Sequence, residues 1–359
     1  MIFGREKDPK GPDWSKSKTI IKDLISLKLE FKAPPPSPPF TDRAWAKEDD
    51  QISLTEFGKC AKNPPSEVNY KISEVIYSNC WKYSGLPILN KYCGDTRFFV
   101  KLNKIKRMPI NSTLLSPKEL AKAILQDHET SFYGKTHEAV FDDPYDLTEM
   151  EWPDYLSPIN CQWIAKDNLH WLYFESQPLV DDQFAISFNL AIADDSYLSF
   201  QFLITRSAMN AGNAYRIEQR IPLDNFLSLI QNIMSSVKID FISPPKSIQA
   251  SDQRSGSEMP VVEASPEYIE LAKHVLYMWS AREYTDTKNP KKEDHRATPE
   301  EISDFINSKV EHRPMPNSFP REEVYYRNFN LQKAGEKNIT ATTWRLENDI
   351  NQLQKDSPG

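Results

Sequence analysis

The residues with which this chain could do chemistry are six histidines, four cysteines and a surplus of carboxylates. The histidines stand at 128, 137, 170, 274, 295 and 312, the closest pair nine residues apart, so no HExxH pair places two imidazoles on one helical face around a metal. Cys60, Cys80, Cys93 and Cys161 are separated by 20, 13 and 68 residues. Those spacings match no CxxC zinc or redox pattern and read as free thiols. An acid–base pair would have to come from His128 or His137 with Asp127 or Glu129. The simpler reading puts His128 at a helix end, beside the last carbonyls. His170 shares a strand face with Leu172 and Phe174 and reads as structural, while Asp194 and Asp195 sit at a hairpin tip, where aspartates form turns. Ten glycines occur and no two lie within four residues of each other. A dinucleotide fingerprint, a Walker loop and a nucleophile elbow all need closer glycines, so these three enzyme classes are disfavoured. The expectation is a non-catalytic protein with no cofactor and no metal. An enzyme assembled from distant histidines and carboxylates is the alternative.

One segment differs from the rest. Residues 142–155, Asp-Asp-Pro-Tyr-Asp-Leu-Thr-Glu-Met-Glu-Trp-Pro-Asp-Tyr, hold six carboxylates, three aromatics and no Lys or Arg. A solvated acidic loop has that composition. So does a surface that plugs the basic cleft of another protein, because rings supply buried area and unneutralised charge supplies steering. Asp142, Asp143, Tyr145, Asp146, Glu149, Glu151, Trp152, Asp154 and Tyr155 are therefore the candidate partner-binding residues.

These residues need elements to position them. Ile186, Phe188, Leu190 and Ile192 alternate with small or polar residues, and Leu198, Phe200, Phe202 and Ile204 repeat the pattern after Ala193-Asp194-Asp195-Ser196. That is an antiparallel hairpin with one buried face. Its other face, with Ser187, Asn189, Ser199 and Gln201, is expected to be solvated or to floor a protein-binding surface. Strands are expected at about 72–83, 97–107, 162–165, 169–175 and 215–221, and Ser116-Pro117-Lys118-Glu119 opens a helix to about residue 128. Phe226, Leu229, Ile230, Ile233, Met234 and Val237 form one apolar stripe on a second helix, which closes the hairpin's apolar face.

Residues 17–31 read as a short amphipathic helix running into a strand, before the strap Ala33-Pro34-Pro35-Pro36-Ser37-Pro38-Pro39. A polyproline ligand for a partner's groove is the other reading of that run. Residues 243–265 read as a linker. Helices follow from Ser265-Pro266-Glu267 and from the capping box Thr298-Pro299-Glu300-Glu301, with a proline-punctuated aromatic tail and a short helix over 343–354. The expected organisation is 1–69 N-terminal helix and strap, 70–242 α+β core, 243–265 linker and 266–359 helical region. The fold class is α+β, an antiparallel meander with helices on one face and a mainly helical C-terminal extension.

At 359 residues there is room for a large core, and a net charge of -7 argues against a protein that neutralises phosphates over its whole surface. No nucleic-acid partner is expected. The opening residues are followed by no continuous apolar run, so neither a signal peptide nor a membrane span is expected, and the cytoplasm is the expected compartment. Over residues 70–240 the order of elements resembles Mog1/PsbP-like α+β sandwiches, a group that includes chaperones of bacterial secreted effectors. In general character, acidic, aromatic-rich and without catalytic motifs, the chain is similar to cytoplasmic bacterial immunity proteins. The resemblance implies a protein that binds a cognate toxin or effector with a basic surface and occludes it. An effector-loading chaperone or adaptor is the second implication.

Overall fold

The computed structural model describes residues 8–24, 26–38, 66–68, 71–85, 92–131, 153–179, 183–207, 217–218, 220–242, 259–282 and 297–328. Strands and helices follow in the order β1 (Lys18–Asp23), β2 (Leu27–Ala33), β3 (Ser66–Val68), β4 (Lys71–Ser84), β5 (Tyr92–Ile105), α1 (Pro117–Ser131), β6 (Tyr155–Lys166), β7 (Leu169–Pro178), β8 (Gln183–Ala191) and β9 (Ser196–Arg206). The remainder is α2 (Asp224–Ser236), β10 (Lys238–Phe241), β11 (Met259–Ala264), α3 (Pro266–Arg282), α4 (Pro299–Val310) and β12 (Arg321–Arg327). The class is α+β with antiparallel pairing throughout the main sheet.

That sheet has seven strands in the order β3-β4-β5-β9-β8-β7-β6. Its centre is the hairpin of β8 and β9, in register from Gln183↔Thr205 to Ala191↔Tyr197. The β6–β7 turn needs two residues with positive φ, and Asp167 (52°) and Asn168 (60°) supply it with side chains that tolerate that region. Alternate residues go to opposite faces, so each strand feeds two cores. On one face Phe98, Val100, Phe200, Phe202, Ile186 and Phe188 pack with α2 through Phe226, Leu229, Ile230 and Ile233. On the other, Leu172, Phe174, Trp163 and Tyr197 pack with α1 and β11 through Leu120, Ala121, Ile124, Val261 and Val262. A third cluster joins α3 and α4 to the β6 end through Leu156, Ile159, Tyr268, Val275, Ile302 and Ile306. The capping box at Thr298 forms, with Glu301 N donating to Thr298 Oγ1 at 3.2 Å and Thr298 N to Glu301 Oε2 at 2.9 Å.

Three expectations are corrected. The N-terminal helix is instead the hairpin β1–β2, which β10 extends to a three-stranded sheet over the aromatic face. Leu27, Leu29, Phe31 and Ala33 are buried while Lys28 and Lys32 are exposed, the period of two of the strand into which the helix was expected to run. The strand expected at 215–221 is helical where it is described, with Ile221 N donating to Ile217 O at 2.8 Å. Glu218 there is drawn to Arg206 and Lys309, and that tertiary pairing overrides the β-propensity of the two isoleucines. Of the expected linker, residues 259–264 form β11, paired in parallel with β12 in the expected irregular tail. Pro34 O in the strap accepts from Asn79 Nδ2 and Trp81 Nε1, each at 3.0 Å, so this stretch lies on β4. The helix expected at 343–354 lies outside the described residues.

Candidate functional site

Two of the candidate partner-binding residues, Asp154 and Tyr155, are described. Asp142, Asp143, Tyr145, Asp146, Glu149, Glu151 and Trp152 lie outside the described residues. Asp154 and Tyr155 are half-buried at the start of β6. Leu179 N donates to Asp154 O at 2.8 Å, and the Tyr268 hydroxyl on α3 donates to Tyr155 O. They act as the fixed root of the acidic segment, which runs in the chain between α1 and β6.

His128, on the helix that precedes that segment in the chain, belongs to a buried polar node. His128, in the last turn of α1, lies edge-on to Phe174 at 4.8 Å, with Nδ1 3.4 Å from Ser157 Oγ. Ser157 Oγ is 2.5 Å from Ser176 Oγ, and Arg327 Nη1 donates to Ser157 O at 2.8 Å. A serine beside a histidine is the pairing a nucleophile requires. Here the pair is sealed, with Ser157 at 0% and His128 at 1% exposure. Burial first, then the Arg327 guanidinium, lowers the His128 pKa to about 3. A base so weak does not take a proton from a serine near neutral pH, so the node holds α1, β6 and β12 together instead.

The remaining reactive groups are also tied into the fold. Arg206 donates to Ile221 O and to Glu218 Oε2, each at 3.0 Å, and Lys309 of α4 pairs with the other Glu218 oxygen. Burial raises the Glu218 pKa, but Arg206 and Lys309 outweigh it and hold the carboxyl below its ordinary value. Asp194 accepts from Thr113 Oγ1 at 2.6 Å and Asp195 pairs with Lys104 at 3.2 Å, so the hairpin tip fastens the loop before α1. His170 lies edge-on to Phe319 at 4.9 Å and His274 is buried in α3. Cys80, Cys93 and Cys161 are buried and form no disulfide among the described residues, and burial pushes the Cys161 thiol up to about 12. Cys60, His137 and His295 lie outside the described residues. Among the described residues no three His, Cys, Asp or Glu side chains come together as a metal site, and no helix is long and apolar enough to cross a membrane.

The polar face of the hairpin is corrected in part. Ser187 and Asn189 are buried, and a hydrogen-bonded row runs across four strands from Ser73 to Asn103, Ser199 and Asn189. Ser199 and Gln201 remain half-buried. Reasoning from sequence also missed an open groove between residues 8–14 and α2. The signal available for it was the spacing Asn225, Ser228, Asn232, a stripe of amides and a hydroxyl on the polar side of an amphipathic helix.

No protein-family model matches the chain, and no curated sequence matches it significantly. Two solved structures are similar to it over 64% of its length, both of the T6SS immunity protein TplEi from Pseudomonas aeruginosa. One is complexed with "L" peptide (77% of that chain) and one is apo (75%), each at 9% identity and a TM-score of 0.20. A superposition that low does not establish a common fold and carries no function to this chain. The expected likeness to Mog1/PsbP-like sandwiches is not shown by these comparisons.

Proposed function

We propose that this protein works in the cytoplasm by binding another protein, as an immunity factor that occludes a cognate toxin or effector with a basic surface. The observation that carries the reading is the segment 142–155, six carboxylates and three aromatics with no basic residue. Its downstream end is fastened to the sheet and to α3 through Asp154 and Tyr155. Anchoring one end lowers the entropy lost when such a segment engages a partner. The burial of His128 and Ser157, and the pairing of the half-buried Glu218 with Arg206 and Lys309, support a structural use of the groups that otherwise suggest chemistry.

The test is co-purification from the native cells, followed by expression of the captured protein alone and with this chain. Toxicity that is suppressed on co-expression is the expected result. Replacing Asp142, Asp143, Asp146 and Glu149 with lysine is expected to abolish capture and protection together. Capture and protection unchanged in that variant would overturn the assignment of the surface. A captured enzyme that stays active in the complex would replace occlusion with a loading role.

A further inference from the structure

An open groove of about 440 Å³ lies between the N-terminal segment 8–14 and α2, a volume within the range that small-ligand clefts occupy. Its walls are built before any ligand arrives. Lys10 N donates to Ser84 O at 2.8 Å and Ser84 N to Lys10 O at 3.0 Å, which adds residue 10 to the end of β4. Asn225 Nδ2 donates to Asp8 Oδ1 at 2.7 Å and to Pro9 O at 3.1 Å, which ties the same segment to α2. Gly11 lies so close to Tyr83 that an added Cβ would meet its Cε1 at 2.4 Å. Tyr83 itself stacks on Phe226 at 4.0 Å and forms a rigid base. Trp14 is held in a short 3-10 turn, where Asp13 Oδ1 accepts from Ser15 N at 3.0 Å, and it rests half-buried on the main core.

The chemistry of the lining selects a class of ligand. Asn225, Ser228 and Asn232 recur at i, i+3 and i+7 on α2 and face the groove together. Asn225 Nδ2 and Ser228 Oγ already donate within the protein, to Asp8, Pro9 and Asp224, and so present acceptor oxygens, while Asn232 presents both a donor and an acceptor, a set that matches a ligand carrying hydroxyls. Asp8 and Lys10 cancel in charge, so nothing selects a phosphate or another strongly ionic group. One carboxylate oxygen of Asp8 is already engaged by Asn225, which disfavours a zwitterion that would need that carboxylate for its ammonium. The Trp14 indole offers a flat apolar face suited to the C–H side of a sugar ring. We propose that this groove is a binding site for a neutral saccharide of one or two rings, a function separate from protein binding by the acidic segment.

The experiment is saturation-transfer NMR and calorimetry on the full chain with maltose, cellobiose and N,N′-diacetylchitobiose, and with diglycine as the zwitterionic comparison. At least one sugar is expected to bind, Asn232→Ala to weaken it about 5-fold through loss of one hydrogen bond, and Trp14→Ala to abolish it. Asn232 is exposed, so its variant keeps the fold and carries the test even where Trp14→Ala unfolds. No binding of any sugar up to about 20 mM, where even contacts of ~2–3 kcal/mol would register, overturns the proposal. Diglycine bound in preference to every sugar overturns it too, as does sugar affinity unchanged by Asn232→Ala.

Discussion

The two faces of the seven-stranded sheet are built from the same alternation and differ in what holds them. On the α2 side the stabilising contacts are aromatic. Phe98 stacks on Phe202 at 4.4 Å and lies within 6.2 Å of Phe31, Tyr77, Trp81 and Phe200. On the α1 side the strands carry Ser73, Asn103, Ser199 and Asn189 in a hydrogen-bonded row, beside the node of His128, Ser157 and Ser176. Burial of rings is non-directional and survives small shifts. A buried polar row keeps its value only while every partner is in place. The comparison teaches that the aromatic face sets stability and the polar face sets register, and that solution conditions act mainly on the second.

The largest expected effect separates neighbours on one strand. Phe98→Ala empties the centre of the aromatic face and is expected to cost about 4 kcal/mol. Phe99→Ala, half-buried on the other face, is expected to cost about 1 kcal/mol. Urea unfolding of both variants measures the difference, and equal costs would break the distinction between the faces.

Acid comes next, and it reaches the polar side. His128, next to Phe174, is lowered to about 3 by burial and then Arg327, with Asp127 opposing and Lys71 reinforcing. His274 in α3 is lowered to about 4 by burial. Both are neutral when folded and take up a proton on unfolding below about pH 6.5. Their contribution is complete above pH 6.5 and is lost as pH falls toward 4 and then 3. Each tilts stability by at most about 1.4 kcal/mol per pH unit over that window. Urea midpoints between pH 7 and 4 in the wild type and in His128→Asn should show the tilt reduced by roughly one proton's worth. A tilt unchanged in the variant would place its origin elsewhere.

The aromatic side was the legible one. Large apolar residues at period two leave no second reading, so β8, β9 and the stripe of α2 emerged from sequence with their buried residues. Local cap chemistry was equally plain at Thr298. The polar side was not, because serine and asparagine alternate identically whether water or another side chain satisfies them. Asn189 finds Ser199 within the hairpin, but the row reaches Ser73 only through Asn103, and those pairings are settled by the sheet order. The first strand of the β1–β2 hairpin was hidden for a related reason. Ile20, Ile21 and Leu24 fall at helical spacing, and only the pairing of this segment with β2 decides for a strand. In the candidate site, the composition of residues 142–155 was visible, whereas the anchoring of Asp154 and Tyr155 depends on Leu179 and Tyr268. Trp14 gave no signal alone, because Tyr83 and Asn225, which complete its groove, lie far along the chain.

The smallest expected effects grade the polar face by depth. Asn103 is 2% exposed, accepts from Ser73 Oγ at 2.6 Å and donates to Ser199 Oγ at 3.2 Å. Asn103→Ala removes both of these hydrogen bonds and leaves a void at a sealed position, although Ser199 Oγ still donates to Asn189, and is expected to cost about 2 kcal/mol. Gln201 is half-buried on the same face and accepts from Lys101 Nζ at 2.7 Å. Burial holds the Lys101 pKa below its ordinary value, but water reaches the rim of this site and replaces part of the lost acceptor. Gln201→Ala is therefore expected to cost about 0.5–1 kcal/mol. If the two variants unfold at the same urea concentration, burial does not grade the row. Polar residues on this face would then act as a solvated surface does, and the half-exposed Gln201, rather than the sealed Asn103, would describe the face as a whole.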